Sequence, residues 1–150
     1  MQIEKQFAIA GVNKPGVLAI ICHSLAEKKI NIRALTIANS NGHDMMWMVV
    51  DNPDLARTVL GKINISGTEA DVITVDIPNK PGAFAFLAEK LSLAHINIES
   101  AYCTAGAPSG KATAVFKVPY IQKTMKVMQD MLGKQPDRVT QNIRPSSLRR

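Results

Sequence analysis

Several kinds of chemistry are missing from this sequence, and each absence removes a class of function. Only two cysteines occur in 150 residues, Cys22 and Cys103, and neither has a second cysteine at metal-ligand or redox-motif spacing. Both sit in apolar surroundings, so buried free thiols in a reducing compartment are expected. Of the three histidines, no two are four residues apart, the spacing of a helical metal site. No Gly-x-Ser-x-Gly, no Walker loop and no Cys-His pairing occurs. An enzyme, a metal site and a bound cofactor are therefore not expected. No run reaches about 18 apolar residues, and no basic-then-apolar leader precedes the first strand pattern. The expected location is the cytoplasm, with no membrane partner.

Charge points the same way. The net charge is +6, but five of 18 basic residues and one of 12 acidic ones lie in residues 134–150. That leaves 13 basic against 11 acidic side chains in residues 1–133. Most of the excess thus lies in residues 134–150, which end in a basic C-terminal tail, residues 145–150, and the reading of a solvated tail outweighs that of a nucleic-acid arm.

What the chain does contain is itself, twice. Asn13, Lys14, Pro15, Gly16, Ala19, Leu25, Ile30, Asn31 and Ile32 recur 66 positions later as Asn79, Lys80, Pro81, Gly82, Ala85, Leu91, Ile96, Asn97 and Ile98. Chance gives about one or two matches in such a window. Two copies of one module are expected, residues 1–68 and 69–144. A module of that size buries only about 60% of its unfolded surface, so docking of the copies on each other or on a second chain is expected.

Within copy one, Ile3 to Val12 reads as a strand that Asn13-Lys14-Pro15-Gly16 breaks. From Val17 to Lys29 the period is helical, with Leu18, Ile21, Cys22 and Leu25 on one stripe. Ile30–Ala38 and Met45–Val50 read as strands joined by an Asn39-Ser40-Asn41-Gly42 turn. Asn52 caps a helix opened by Pro53 and stopped at Gly61, and a short strand near Ile63–Ser66 closes the unit. Copy two repeats this as Asp71–Pro78, Ala83–Ala94, Ile96–Cys103, Ala112–Val118, a helix over Pro119–Leu132, and Arg138–Ile143. The fold class is α+β, two tandem ferredoxin-like βαββαβ domains with antiparallel sheets. Both helices of a module fall on one face. Because Met45–Val50 is apolar throughout, cover from copy two or another subunit is expected on its open face or edge.

The repeated turn is also a candidate site. Helix-start amides at Gly16, Val17 and Leu18 suit a carboxylate, and an asparagine carboxamide oxygen suits an ammonium group. A free amino acid carries both groups. The strands holding Asn13 and Asn31 are expected side by side, so both asparagines reach one sheet edge. The matching residues are Ile32 in copy one and Asn79, Gly82, Ala83, Phe84, Asn97 and Ile98 in copy two.

A strand, Asn-x-Pro-Gly, an amphipathic helix and Ile-Asn-Ile opening the next strand resembles the ACT domain, found here twice over nearly the whole chain. The resemblance implies a stand-alone regulatory protein that binds an amino acid or related metabolite at domain interfaces and modulates a separate enzyme or regulator. It implies pairing side by side, with a homodimer expected. In serine-binding members both asparagines contact ligand, from opposite sides of the interface; by resemblance those roles fall on Asn13, Asn79, Asn31 and Asn97. Those members also carry a histidine two residues before the loop asparagine, where this chain has Gly11 and Ile77. A protein-interaction scaffold without a small ligand is the alternative. An RNA-binding βαββαβ protein is disfavoured, because the strand Met46-Trp47-Met48-Val49 has one aromatic and no flanking glycine for stacking bases, and its counterpart in copy two offers only Phe116.

Overall fold

The computed structural model describes residues 1–104 and 110–132. Among these residues six strands form one antiparallel sheet in the order β2-β3-β1-β4-β6-β5, and four helices lie against it. Copy one supplies β1 (Gln2–Ala10), α1 (Val17–Glu27), β2 (Ile32–Ser40), β3 (His43–Val50) and α2 (Pro53–Lys62). Copy two supplies β4 (Thr68–Pro78), α3 (Ala83–Leu93), β5 (Ser100–Cys103), β6 (Lys111–Lys117) and α4 (Ile121–Leu132). This is the ferredoxin-like order in tandem.

The expected closing strand at Ile63–Ser66 does not form. Ile63 and Ile65 instead pack partly buried against the copy-one core, and Asn64 takes a left-handed φ of 57° that turns the chain. The fourth-strand position of copy one is filled by β4, which pairs with β1 over Gln2↔Thr74 to Ala8↔Thr68. The far end of β4 pairs with β6 over Ile73↔Phe116 to Pro78↔Lys111. One long strand thus serves both halves, and each half closes its sheet on the first strand of the other. The strand expected at Arg138–Ile143 lies outside the described residues. Gly61 does not stop α2 but sits inside it.

Register places all four helices on one face. Ile3 pairs with Ile73 and Phe7 with Glu69, so the odd-numbered residues of β1 and β4 share a side. On that side Phe7, Ile9, Met46, Met48 and Val50 join Ile21 and Leu25 of α1 in one core. Ile73, Val75, Ile77, Ala114 and Phe116 join Leu87, Leu91 and Met128 in another. Met46, Met48 and Met128 are buried in these cores, and Met1, Met125 and Met131 pack against the second. At the seam between the cores the helix side is polar, with Lys5 paired to Asp71 at 2.6 Å. Arg57 of α2 is held by both Glu69, at 2.6 Å, and Asp54, at 2.9 Å. The hydrogen bond from Arg57 keeps the Glu69 carboxyl below its usual range.

The opposite face carries a third cluster that crosses the seam. Ala34 and Val49 of copy one and Val72 and Val115 of copy two are buried there, with Tyr102 packed over them. Within this cluster Val72 and Val115 of copy two join Val49 of β3, whereas β4 itself pairs with β1 and β6. The cysteines depart from expectation: Cys22 is half-buried and Cys103 exposed.

Candidate functional site

Both repeated turns adopt one conformation. Gly16 has φ 88° and Gly82 φ 86°, left-handed values that disfavour a side chain. A Cβ would meet no atom within 4 Å at either glycine. The glycines are required by backbone φ, then, and not by crowding. Val17 N–H donates to the Lys14 carbonyl at 3.2 Å, and Ala83 N–H to Lys80 at 3.3 Å. Those two amides close the turn and are not free for a carboxylate, which corrects that part of the expectation.

The helix starts contrast with that of α2. Asn52 caps α2 by accepting from Leu55 N–H at 3.1 Å, whereas α1 and α3 have no side-chain cap. Leu18 and Phe84 therefore begin their helices with amides that no capping side chain satisfies. Their side chains are committed to packing. Val17, Leu18 and Ile32 pack on the copy-one core, and Ala83, Phe84 and Ile98 on that of copy two. Phe84 stacks on Phe116 with centroids 5.3 Å apart. Phe116 is fully buried in the copy-two core, so it offers no base-stacking surface.

The asparagines are not gathered as expected. β3 lies between β1 and β2, and those two strands run parallel because each pairs antiparallel with β3. Asn13 thus follows the end of β1 near Met45, while Asn31 precedes the start of β2 beside Val50. They sit at opposite ends of the same module and cannot share one ligand within it. The same holds for Asn79 and Asn97, and Asn97 precedes β5 by three residues rather than lying in a strand. All four are exposed.

The sequence reading did not anticipate the long-range partners of two aspartates. Asp44 Oδ2 accepts from the Asn13 N–H at 2.6 Å, and Asp51 Oδ1 from the Asn31 N–H at 3.0 Å. They fasten the two ends of copy one across 31 and 20 residues. In copy two Asn79 N–H donates instead to the Gly110 carbonyl at 2.7 Å. The signal was available: residues 66 positions after the two aspartates are Gly110 and Lys117, so the repeat breaks where copy one carries charge. Among the described residues no three His, Cys, Asp or Glu side chains converge as a metal site. No helix among them is long and apolar enough to cross a membrane.

Comparison with known proteins agrees with this architecture. The structure of protein BT0572 from Bacteroides thetaiotaomicron is similar at 29% identity, with TM-score 0.77, over 87% of this chain and 89% of that one. The regulatory subunit of aspartate kinase from Thermus thermophilus shares the fold at 16% identity and TM-score 0.62, over 86% and 94% of the two chains. Its counterpart from Thermus flavus does so at 19% identity and TM-score 0.60, over 88% and 94%. No match was found among curated proteins. The family model described as an ACT domain pair matches residues 1–142, and with two copies of the repeated turn inside that span, the chain belongs to the ACT domain pair family.

Proposed function

We propose that this protein is an amino-acid sensor that binds its ligand at the repeated turns and regulates a separate enzyme. The observation that carries the reading is the contrast between helix starts. α2 is capped by its own Asn52, while α1 and α3, both following the repeated left-handed glycine, are left without a side-chain cap. Orphan amides at a helix N-terminus favour an anion such as an α-carboxylate. The exposed Asn13, Asn31, Asn79 and Asn97 offer carboxamide oxygens to an α-ammonium group. An amino acid presents both charges on adjacent atoms.

Because the two asparagines of one module lie at opposite ends, a complete site requires an antiparallel neighbour. Such a neighbour sets the turn end of one module beside the strand-start end of the other. α1 carries the chain from β1 over β3 to the edge strand β2, so the turn opens toward that outer edge. A second copy of the chain meeting β2 or β5 antiparallel would complete the sites, which makes the functional unit a homodimer. The regulatory subunits of aspartate kinase among the similar folds support a role of regulating a separate enzyme. Halves spanning residues 1–68 and 69–144, with 145–150 as a basic tail, and a cytoplasmic location complete the proposal.

Thermal-shift screening of the twenty amino acids tests it. Ligand at 100-fold over Kd should stabilise the protein by about 2.7 kcal/mol. Asn13→Ala and Asn31→Ala should each abolish the shift at the copy-one site without unfolding the chain. A folded protein silent to the whole panel sinks the reading and leaves a protein-interaction scaffold.

A further inference from the structure

The polar side chains on the face away from the helices are arranged across the seam rather than within either copy. Glu4 and Gln6 both lie on β1, a central strand. Glu4 takes an ion pair from Arg33 of β2 and accepts a hydrogen bond from the Thr74 hydroxyl of β4. Gln6 Oε1 accepts from the Tyr102 hydroxyl of β5 at 3.0 Å. Arg33 therefore reaches over β3, and Tyr102 reaches over β6 and β4, to adjacent same-face positions of one strand. The two outermost strands of the sheet are tied to one central point.

Local irregularity serves this arrangement. The β2 register shifts between Ile32 and Ala34, placing Arg33 at a bulge. A bulge re-aims a side chain that regular alternation would send the other way. Ala34 is buried on the far face, and Arg33 joins it there to meet Glu4. Gln6 is 1% exposed and Thr74 3% exposed. Buried polar groups at that depth demand partners, so their geometry is specified more tightly than that of an apolar pair. Burial also pushes the Tyr102 phenol well above its ordinary range, keeping it a neutral donor to Gln6. The repeat does not require any of this. At offset 66, Glu4 and Gln6 correspond to Ala70 and Val72, and Tyr102 to Thr36.

We infer that Glu4 and Gln6 couple the two edge strands of the sheet, so that a displacement of β2 is transmitted to β5 and the reverse. Arg33 lies two residues beyond Asn31, and Tyr102 five beyond Asn97. Each tether therefore ends on the strand that follows a candidate ligand asparagine. A change in the position of one strand pulls on β1, and β1 holds the other. Coupling of this kind is reciprocal. The mechanical coupling stands without a ligand; its use to link two binding events rests on the proposed sensor function.

Amide hydrogen exchange on the full ligand-free chain decides it, since spatial continuity alone is not coupling. Tyr102→Phe removes one hydroxyl from β5, and Glu4→Gln removes the charge that holds Arg33. Lys5→Gln, which breaks the Lys5–Asp71 pair on the helix side of the same seam, is the control. Tyr102→Phe should speed exchange in Ile32–Ser40, and Glu4→Gln should speed it in Ser100–Cys103, each by severalfold, while Lys5→Gln leaves both unchanged. Acceleration confined to the substituted strand, equal acceleration in every strand, or the same response to Lys5→Gln would each overturn the inference. If an amino acid binds, occupancy of one site should change affinity at the other severalfold, and Glu4→Gln should erase that factor. Two sites that bind independently in the unsubstituted protein would overturn that use of the coupling. A chain that binds no amino acid removes the proposed sensor function while the exchange result stands on its own.

Discussion

Copy one and copy two share a turn, a helix start and a core plan, yet they secure the turn differently. In copy one the Asn13 amide is held by a side-chain carboxylate, Asp44, and the Asn31 amide by another, Asp51. In copy two the Asn79 amide is held by a backbone carbonyl, and Lys117 pairs with Glu99 at 2.9 Å. A carbonyl acceptor survives any substitution that keeps the backbone in place, whereas a carboxylate acceptor is a property of one residue. Copy one can therefore lose its fastening by a single mutation and copy two cannot. Copy one thus carries a carboxylate at each end of the module, where copy two has Gly110 and Lys117. The lesson is that duplication preserved the backbone conformation and left the surrounding charges free to diverge.

The comparison can be broken most forcefully in the cores. Phe116→Ala removes the ring that stacks on Phe84 and should cost about 3–5 kcal/mol, read by chemical denaturation. Because β4 belongs to both halves, copy one should unfold in the same transition. Two separate transitions would show that the halves are independent units. A smaller and symmetrical effect is expected from the turns. Gly16→Ala and Gly82→Ala each impose left-handed strain of about 1–2 kcal/mol. Open space at both positions leaves no clash to add to it. Unequal costs would mean that the two turns are not equivalent.

Substitutions confined to copy one sharpen the asymmetry. Asn52→Ala removes the α2 cap and should cost about 1 kcal/mol, while uncapped α1 and α3 have no such dependence. Asp44→Ala should cost about 0.5–1.5 kcal/mol and speed hydrogen exchange at Asn13 without affecting Asn79. The smallest effect concerns acid. Glu69 is held below its usual range by Arg57, so its stabilisation is present above the unfolded carboxyl value of about 4.3 and fades as pH falls through the lower native value. The difference in Tm between the protein and Glu69→Gln should be largest near neutrality and close below about pH 4. A difference that persists unchanged into acid would remove the ion pair as its cause.

Much of this architecture was readable from residue order because its signals are local. Pro15-Gly16 and Pro81-Gly82 announce a turn, since proline sets its own φ and glycine alone enters the left-handed region without penalty. Asn52-Pro53 announces a capped helix, and Asn41-Gly42 a hairpin, with φ 52° and 80°. The helical stripes of Ile21 and Leu25, and of Leu87 and Leu91, name the buried faces. The candidate site was legible only in parts. Both asparagines and both glycines stood out, but their placement at opposite ends of a module did not, because it depends on β3 lying between β1 and β2.

What the sequence determined by itself is the repeated unit, for helix, turn and cap preferences act over a few residues and need no partner. Tertiary structure decided which strand closes each half. Ile63–Ser66 and Thr68–Thr74 both follow α2 closely enough to reach β1, and the longer segment wins by pairing with β1 and β6 at once. It also decided the tethers from Arg33 and Tyr102 to Glu4 and Gln6, residues separated by up to 96 positions. Such bonds exist only after six strands are in register, and no spacing along the chain encodes them.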